Sequence, residues 1–140
     1  MKKMNNKGFS LIELIIVIAI MAILVAIIAP NLTKYLGKSK SKTDAKNADE
    51  IAQQIQTAIT DYETDNGDLI TGTTGSITIN WNSTSSNYTS NTAFKDILDA
   101  NITNSTESKE KKNTYAVATI TKNNGKYTIV VTVGNVSTKR

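Results

Sequence analysis

The sequence predicts an α+β fold in which one long N-terminal helix packs, through its second half, on a small antiparallel β-sheet head. The first observation is an uninterrupted apolar run from Leu14 to Ala29. The second is a stripe of apolar side chains at spacings of three and four between Ala45 and Tyr62, which is typical of an amphipathic helix. The third is a pair of alternating stretches around one Asn-Gly step near the C-terminus, which predicts a β-hairpin.

The apolar run predicts a membrane-spanning first half of the helix. With Leu11, Ile12 and Glu13 it reaches roughly the 20 residues that a helix needs to cross a bilayer. A secretory signal peptide is the alternative, but its apolar region usually has about 7 to 15 residues and precedes a cleavage site of small residues. Here Ile28, which is not small, stands before Ala29. A retained helix is therefore favoured, although lysines on both flanks leave its orientation ambiguous.

Two residues are expected to weaken this helix beyond the apolar run. Pro30 lacks a backbone donor and clashes with the preceding turn, so we expect a kink or a local opening there. Gly37 is a second weak point. The amphipathic half is expected from about Asp44 to Asp65, and to end at Asn66 and Gly67 because glycine readily takes the left-handed conformation of a helix C-terminus. Its apolar stripe comprises Ala45, Ala48, Ile51, Ala52, Ile55, Ala58, Ile59 and Tyr62.

The head is predicted mainly from its last hairpin. An Asn124-Gly125 turn pairs Ile120 with Ile129 and Ala118 with Val131, and continues to Ala116 opposite Val133. The resulting apolar face is expected to cover the stripe on the helix. A further strand is expected over residues 76–81 and a short helix over 93–98, while segments rich in Ser, Thr and Asn favour loops. Trp81 is expected to pack against the core, with an exposed contact surface as the alternative.

Composition excludes most catalytic chemistry. The chain has no cysteine and no histidine, which removes thiolate nucleophiles, zinc-thiolate sites and the commonest general base. An enzyme is therefore not expected, nor a cofactor. The acids Asp61, Glu63, Asp65 and Asp68 do not have the spacing of an EF-hand loop, so no metal site is expected and a solvated helix end is favoured.

The net charge of +4 is not a general sign of nucleic-acid binding. Three of the positive charges lie in the first eight residues, at Lys2, Lys3 and Lys7. A second cluster is interpreted as a solvated helix face or a membrane-flanking anchor, with DNA binding as the disfavoured alternative. It comprises Lys34, Lys38, Lys40, Lys42 and Lys46.

The stretch "KGFSLIELIIVIAIMAILVAIIAP", from Lys7 to Pro30, closely resembles the processing site and N-terminal helix of type IV pilins. The resemblance implies that a basic leader, residues 1–8, is cut after Gly8, and that the new N-terminal residue Phe9 is N-methylated. Ser10 and Glu13 match the residues that follow in that family. The stretch "YETDNG", from Tyr62 to Gly67, resembles the segment that closes the helix in many pilin-like proteins.

For Glu13 the resemblance implies a role in filament assembly. A carboxylate inside a membrane helix is costly and usually has a partner. In the family that partner is the positively charged N-terminal amine of a neighbouring subunit, and two opposite charges attract strongly in a dry core. Glu13 would then fix the register between subunits, and the partners would be further copies of this chain in a helical filament.

The resemblance also implies the organisation and location of the chain. After the leader come a filament-core helix with a basic flank over 9–43, the amphipathic half over 44–66 and the head over 67–140. The implied partners are a prepilin peptidase/N-methyltransferase, the pilus assembly platform and the membrane before assembly; nucleic acid is expected only in a DNA-uptake role. The precursor would sit in the cell membrane and the mature subunit in an extracellular pilus serving adhesion, surface motility or aggregation.

Two other functions stay open. A pseudopilin of a type II secretion or DNA-uptake system shares this N-terminus, although the Tyr-Pro that usually follows the helix in the secretion branch and its C-terminal calcium loop are missing. The second is a singly anchored surface-binding domain that never polymerises. Absence of the disulfide common in Gram-negative pilins favours a Gram-positive variant, whose head is stabilised by the helix-sheet core alone.

Overall fold

The computed structural model describes residues 8–83, 85–102 and 106–140. The predicted leader therefore lies, apart from Gly8, outside the described residues. The elements in chain order are α1 (Leu11–Asn66), β1 (Thr74–Asn80), α2 (Thr92–Asn101), β2 (Val117–Asn123), β3 (Lys126–Val133) and β4 (Val136–Lys139). The chain divides into two compact units, one ending at Gly37 and one beginning at Lys38.

The unit that ends at Gly37 consists of the apolar part of α1. Among the described residues, α1 is the one helix that is long and apolar enough to cross a membrane, judged by length and composition. None of its most apolar window is buried within the chain. The helical assignment runs through Pro30 and Gly37, and the kink predicted at these two residues stays a prediction.

The unit that begins at Lys38 has the predicted α+β architecture, with the second half of α1 packed on a four-stranded antiparallel sheet. The sheet order is β1-β2-β3-β4. Seven of the eight residues predicted for the apolar stripe of α1 are buried. The exception is Ala45, which is half-buried, because the neighbouring Asp44 points into the head instead.

The predicted hairpin register is confirmed. Ile120 pairs with Ile129 and Ala118 with Val131. On the other side of β2, Ile77 of β1 pairs with Ile120, and Ile79 pairs with Ala118. Asn124 and Gly125 have φ of 49° and 76°, as a two-residue type I′ turn requires. The pairing of Ala116 with Val133 is not part of the β2–β3 register, although both side chains are buried.

Other boundaries shift by a few residues. The first strand ends at Asn80, whereas Trp81 forms an isolated bridge with Ser86; its side chain is buried, as predicted. The short helix extends to Thr92–Asn101, because the Asn91 side chain accepts a hydrogen bond from Phe94 N at 3.0 Å and caps it. The helix places Phe94 edge-on against Tyr62 and Tyr88, with centroid distances of 5.7 and 5.8 Å.

The end of α1 is correctly predicted at Asn66, and Gly67 follows with a φ of 78°. β4 was not predicted. It has four residues and continues from β3 through a tight turn in which Gly134 has a φ of 63°. Together the elements of the unit that begins at Lys38 form one core, which buries the second half of α1 against the sheet and α2.

Candidate processing and assembly site at the start of the long helix

Glu13 bonds back to the backbone just before its own helix. Its Oε2 accepts a hydrogen bond from Ser10 N at 2.8 Å, while Leu14 N donates to the Ser10 carbonyl at 3.2 Å. Because Ser10 immediately precedes α1, this is the glutamate half of a capping box. The carboxylate also lies at the positive end of the helix dipole. Glu13 therefore stabilises the start of α1, a role that the Ser-x-x-Glu spacing could have indicated.

Within the described residues, Gly8 has no structural reason to be glycine. A Cβ built on Gly8 would meet no atom within 4 Å, and the φ of Gly8 lies outside the left-handed region. Neither packing nor backbone conformation therefore excludes a larger residue. A requirement for glycine here would have to come from another protein, such as the predicted peptidase.

Phe9 and the apolar side chains after it are not covered by any of the residues that the structure describes. Phe9 is 86% exposed, and the large apolar residues from Leu11 to Leu36 are also exposed. Removing such side chains from water is worth about 1.5 to 3 kcal/mol each, so this surface requires lipid or further protein chains. The structure thus places Gly8, Phe9 and Glu13 in one exposed segment, whereas Pro30 and Gly37 lie further along α1.

Two of the acids at the other end of α1 are engaged within the head. Tyr127 donates its hydroxyl to Glu63 Oε1 at 2.6 Å, and Leu69 N donates to the same oxygen at 3.0 Å. The buried Lys122 amine bonds Asp68 and the carbonyl of Ile70. Burial, with the bond to Glu63, raises the pKa of Tyr127, and the bond to Asp68 raises the pKa of Lys122. These contacts fasten the segment after α1 to the sheet.

Asp44 is a buried residue that the sequence analysis missed. Its Oδ2 accepts from Ser108 Oγ at 2.5 Å and from Glu110 N at 3.2 Å, and its Oδ1 accepts from Lys109 N at 2.6 Å. The side chain is fully buried. We call this set of contacts the Asp44 clamp. The clamp attaches the loop after residue 105 to α1. Asp44 lies four residues before Ala48, in line with the apolar stripe, and this position was the signal in the sequence that Asp44 is buried.

Comparison with known proteins identifies the N-terminal segment. Residues 3–29 match the family described as the prokaryotic N-terminal methylation motif. This match includes Gly8, Phe9 and Glu13, the residues that the exposed segment brings together.

Three known proteins are similar to part of the chain. The chain is 44% identical over 55 residues to a "Prepilin peptidase-dependent protein A" of Clostridium perfringens, covering 39% of each protein. It is 36% identical over 62 residues to a "ComG operon protein 3 homolog" of Bacillus licheniformis, covering 44% of this chain and 60% of the relative.

The third is a "Type IV major fimbrial protein FimA" of Dichelobacter nodosus, with 36% identity over 74 residues, which cover 53% of this chain and 47% of the relative. The chain thus spans less than two thirds of the length of each of these relatives. No solved structure matches the chain.

Proposed function

We propose that this type IV pilin-like protein is a structural subunit of a type IV pilus, cleaved after Gly8, N-methylated at Phe9 and polymerised through the apolar part of α1. The observation that carries the proposal is the exposed helical segment that follows Gly8 and Phe9. No described part of the chain covers its apolar side chains, and the carboxylate of Glu13 lies at its start. Lipid can cover this segment before assembly, and copies of the same segment can cover it in a filament.

Glu13 has a different partner at each stage of this proposal. In the precursor its carboxylate accepts a hydrogen bond from the backbone N of Ser10, the second residue after the scissile bond. Cleavage creates a charged amine on Phe9, and in the filament the carboxylate of Glu13 pairs with that amine on a neighbouring subunit. A buried carboxylate without a partner would destabilise the packed helices, so subunits out of register are disfavoured.

The partners and location follow from this role. A prepilin peptidase/N-methyltransferase acts on Gly8 and Phe9, an assembly platform collects the subunit from the membrane, and the head forms the extracellular surface used in adhesion, surface motility or aggregation. The role is structural, in keeping with relatives that carry prepilin and fimbrial names, and no cofactor takes part in it.

A pseudopilin of a secretion or DNA-uptake system is the second candidate. The observation that favours it is the similarity to a protein named after the ComG operon. It would use the same cleavage and the same helix but form short or transient fibres. A singly anchored surface-binding domain is the third candidate, and it would leave Glu13 without an intermolecular partner.

The test is mass spectrometry of the N-terminal peptide of protein sheared from the cell surface. The proposal predicts a peptide that begins at N-methylated Phe9, in material that sediments as fibres. Protein that keeps Met1 and remains with the membrane after shearing would contradict the proposal and favour the anchored domain. Cleaved protein that is absent from sheared material would favour the pseudopilin.

A further inference from the structure

Asparagine is followed by glycine at two places in the chain, and the two pairs have different surroundings. Asn66 and Gly67 lie at the end of α1, whereas Asn124 and Gly125 form the turn between β2 and β3. Both residues of each pair are exposed to solvent. Exposure alone therefore does not distinguish the two pairs.

An asparagine-glycine pair can rearrange without an enzyme. The backbone nitrogen of the glycine attacks the side-chain carbonyl carbon of the asparagine, Cγ, and closes a five-membered succinimide ring. The bond from Cγ to Nδ2 breaks, and ammonia leaves with the proton of the glycine nitrogen. Water then opens the ring at one of its two carbonyl groups and gives aspartate or isoaspartate. Glycine favours the first step, because it has no side chain to hinder its nitrogen.

At Asn66 both reacting groups are held by hydrogen bonds. Asn66 Nδ2 donates to the carbonyl of Tyr62 at 3.1 Å, one turn back along α1. Gly67 N donates to the carbonyl of Glu63 at 3.3 Å and so continues the hydrogen-bond ladder of the helix. Both bonds must break before Gly67 N can reach the Asn66 side chain. The end of α1 therefore protects Asn66.

At Asn124 the structure holds neither reacting group. The hydrogen bonds of a two-residue turn join the residues on either side of it, which here are Asn123 and Lys126. Within residues 8–83, 85–102 and 106–140, no group accepts a hydrogen bond from Gly125 N or from the Asn124 side chain. A Cβ built on Gly125 would meet no atom within 4 Å, so the space around the turn is open.

We propose that Asn124 is a site of spontaneous deamidation in the folded head, whereas Asn66 is protected. The inference is carried by the contrast between two pairs of identical composition, because the helix end fixes one pair and the turn leaves the other free. The nucleophile and the leaving group both belong to the turn, and water is the one further reactant. The inference concerns the head alone and does not depend on the proposed function.

The isoaspartate product alters the turn that sets the register of β2 and β3. In isoaspartate the main chain runs through the side-chain carbon, which adds one methylene group to the backbone of the turn. A two-residue turn accepts a narrow range of backbone geometry. The longer turn fits the pairing of Asn123 with Lys126 less well and weakens the hairpin from its tip. The aspartate product adds the charge without this change.

The test is to age the full-length protein in detergent and to follow both asparagines by peptide mapping with mass spectrometry. One sample stays folded and the other is unfolded in concentrated urea, both in mildly alkaline buffer. Digestion at acidic pH limits further conversion, and fragmentation distinguishes isoaspartate from aspartate. In the folded sample we expect Asn66 to convert at least about tenfold more slowly than Asn124, because its two hydrogen bonds must break first. In urea the two rates should become similar, since the structural difference is lost.

Two variants separate the chemistry from its consequence. Gly125→Ala places a side chain beside the attacking nitrogen and should slow conversion of Asn124 in urea, where folding has no influence. Asn124→Asp carries the new charge with a backbone of normal length. Aged wild-type protein enriched in isoaspartate should therefore melt at a lower temperature than Asn124→Asp, as followed by the fluorescence of the buried Trp81.

Three results would overturn the inference. They are equal rates at the two asparagines in the folded protein, faster conversion at Asn66, and an Asn124 that converts in urea but stays intact in the folded protein. The third result would show that the turn itself protects Asn124. Aged protein that melts like Asn124→Asp would overturn the effect on the hairpin. None of these results bears on cleavage, methylation or filament formation.

Discussion

Replacing Asp44 by alanine should destabilise the head strongly although it removes only three heavy atoms and a charge. The carboxylate accepts one hydroxyl and two backbone N–H groups, at 2.5, 2.6 and 3.2 Å. A hydrogen bond to a charged group contributes about 1.5 to 3 kcal/mol, but the two loop amides can regain water in the variant. We therefore expect a loss of about 3 kcal/mol in the free energy of unfolding, less than the sum of three such bonds.

The only tryptophan of the chain provides the assay. Trp81 is 7% exposed in the core of the head, so its fluorescence reports unfolding of that unit. For a unit of about this size, the expected loss lowers the melting temperature by about 15 °C. The full-length variant is compared with wild type in the same detergent.

Two further variants make the comparison specific. Asp44→Asn keeps one carbonyl oxygen and should lose about half as much stability. Asp65→Ala removes an exposed carboxylate from the same helix and should change the melting temperature by about 2 °C or less. An Asp44→Ala protein that melts like Asp65→Ala would refute the clamp.

Four other predictions concern processing, assembly and stability. Glu13→Ala and Glu13→Gln should both be cleaved but form few filaments, because both variants lack the negative charge. The glutamine of Glu13→Gln can still cap the helix, so a normal filament yield from this variant would show that capping is sufficient for assembly. Gly8→Val should block cleavage by adding bulk beside the scissile bond, and a shortened product on immunoblots would refute this. Gly134→Ala should lower the free energy of unfolding by about 2 kcal/mol, because the φ of residue 134 is 63° and the new Cβ would lie 2.5 Å from Ser108 Oγ. Gly72→Ala, at a φ of 95° with open space around it, should lower it less in the same melting experiment. Burial opposes ionisation of Asp99, but hydrogen bonds from a lysine and a serine outweigh it and lower the pKa of Asp99. The ionised side chain therefore stabilises the fold above about pH 4, and this contribution is lost as the pH falls through the lowered pKa. In a pH series of melts, an Asp99→Asn protein should lose less stability on acidification than wild type.

The parts of the fold that local chemistry dictates were predictable from the sequence. The Asn124-Gly125 step selects a two-residue turn, and the alternation on either side then fixes the register of β2 and β3. Gly67 marks the end of α1 for a similar reason, since it takes a positive φ without strain. In both cases the residues that decide the structure are neighbours in sequence.

The parts that depend on distant partners were not predictable. β4 is short and polar, and it forms because its backbone pairs with the free edge of β3. Asp44 lies in a lysine-rich segment that favours a solvated helix, yet the donors of a loop more than sixty residues away bury it. Lys122 is buried for a similar reason, because Asp68 and a carbonyl receive its amine. The residues next to Asp44 and Lys122 in the sequence do not indicate which distant groups they contact.

The candidate site shows the same division. The Ser10–Glu13 spacing sets the cap within one turn of α1, whereas the cover that we propose for the exposed apolar surface belongs to other molecules. Packing among the described residues gives Gly8 and Phe9 no role. Both residues lie within residues 3–29, which match the N-terminal methylation motif, and their proposed role in processing rests on that match.

The central claim is that this chain polymerises into a surface filament, and immunogold electron microscopy tests it most directly. Antibodies raised against the folded head would be applied to intact cells that express the wild-type chain or Glu13→Ala. The account predicts gold along the whole length of thin filaments on wild-type cells and a loss of those filaments in the variant. Gold confined to the cell body of wild-type cells, or to filament tips alone, would contradict the claim that this chain builds the fibre.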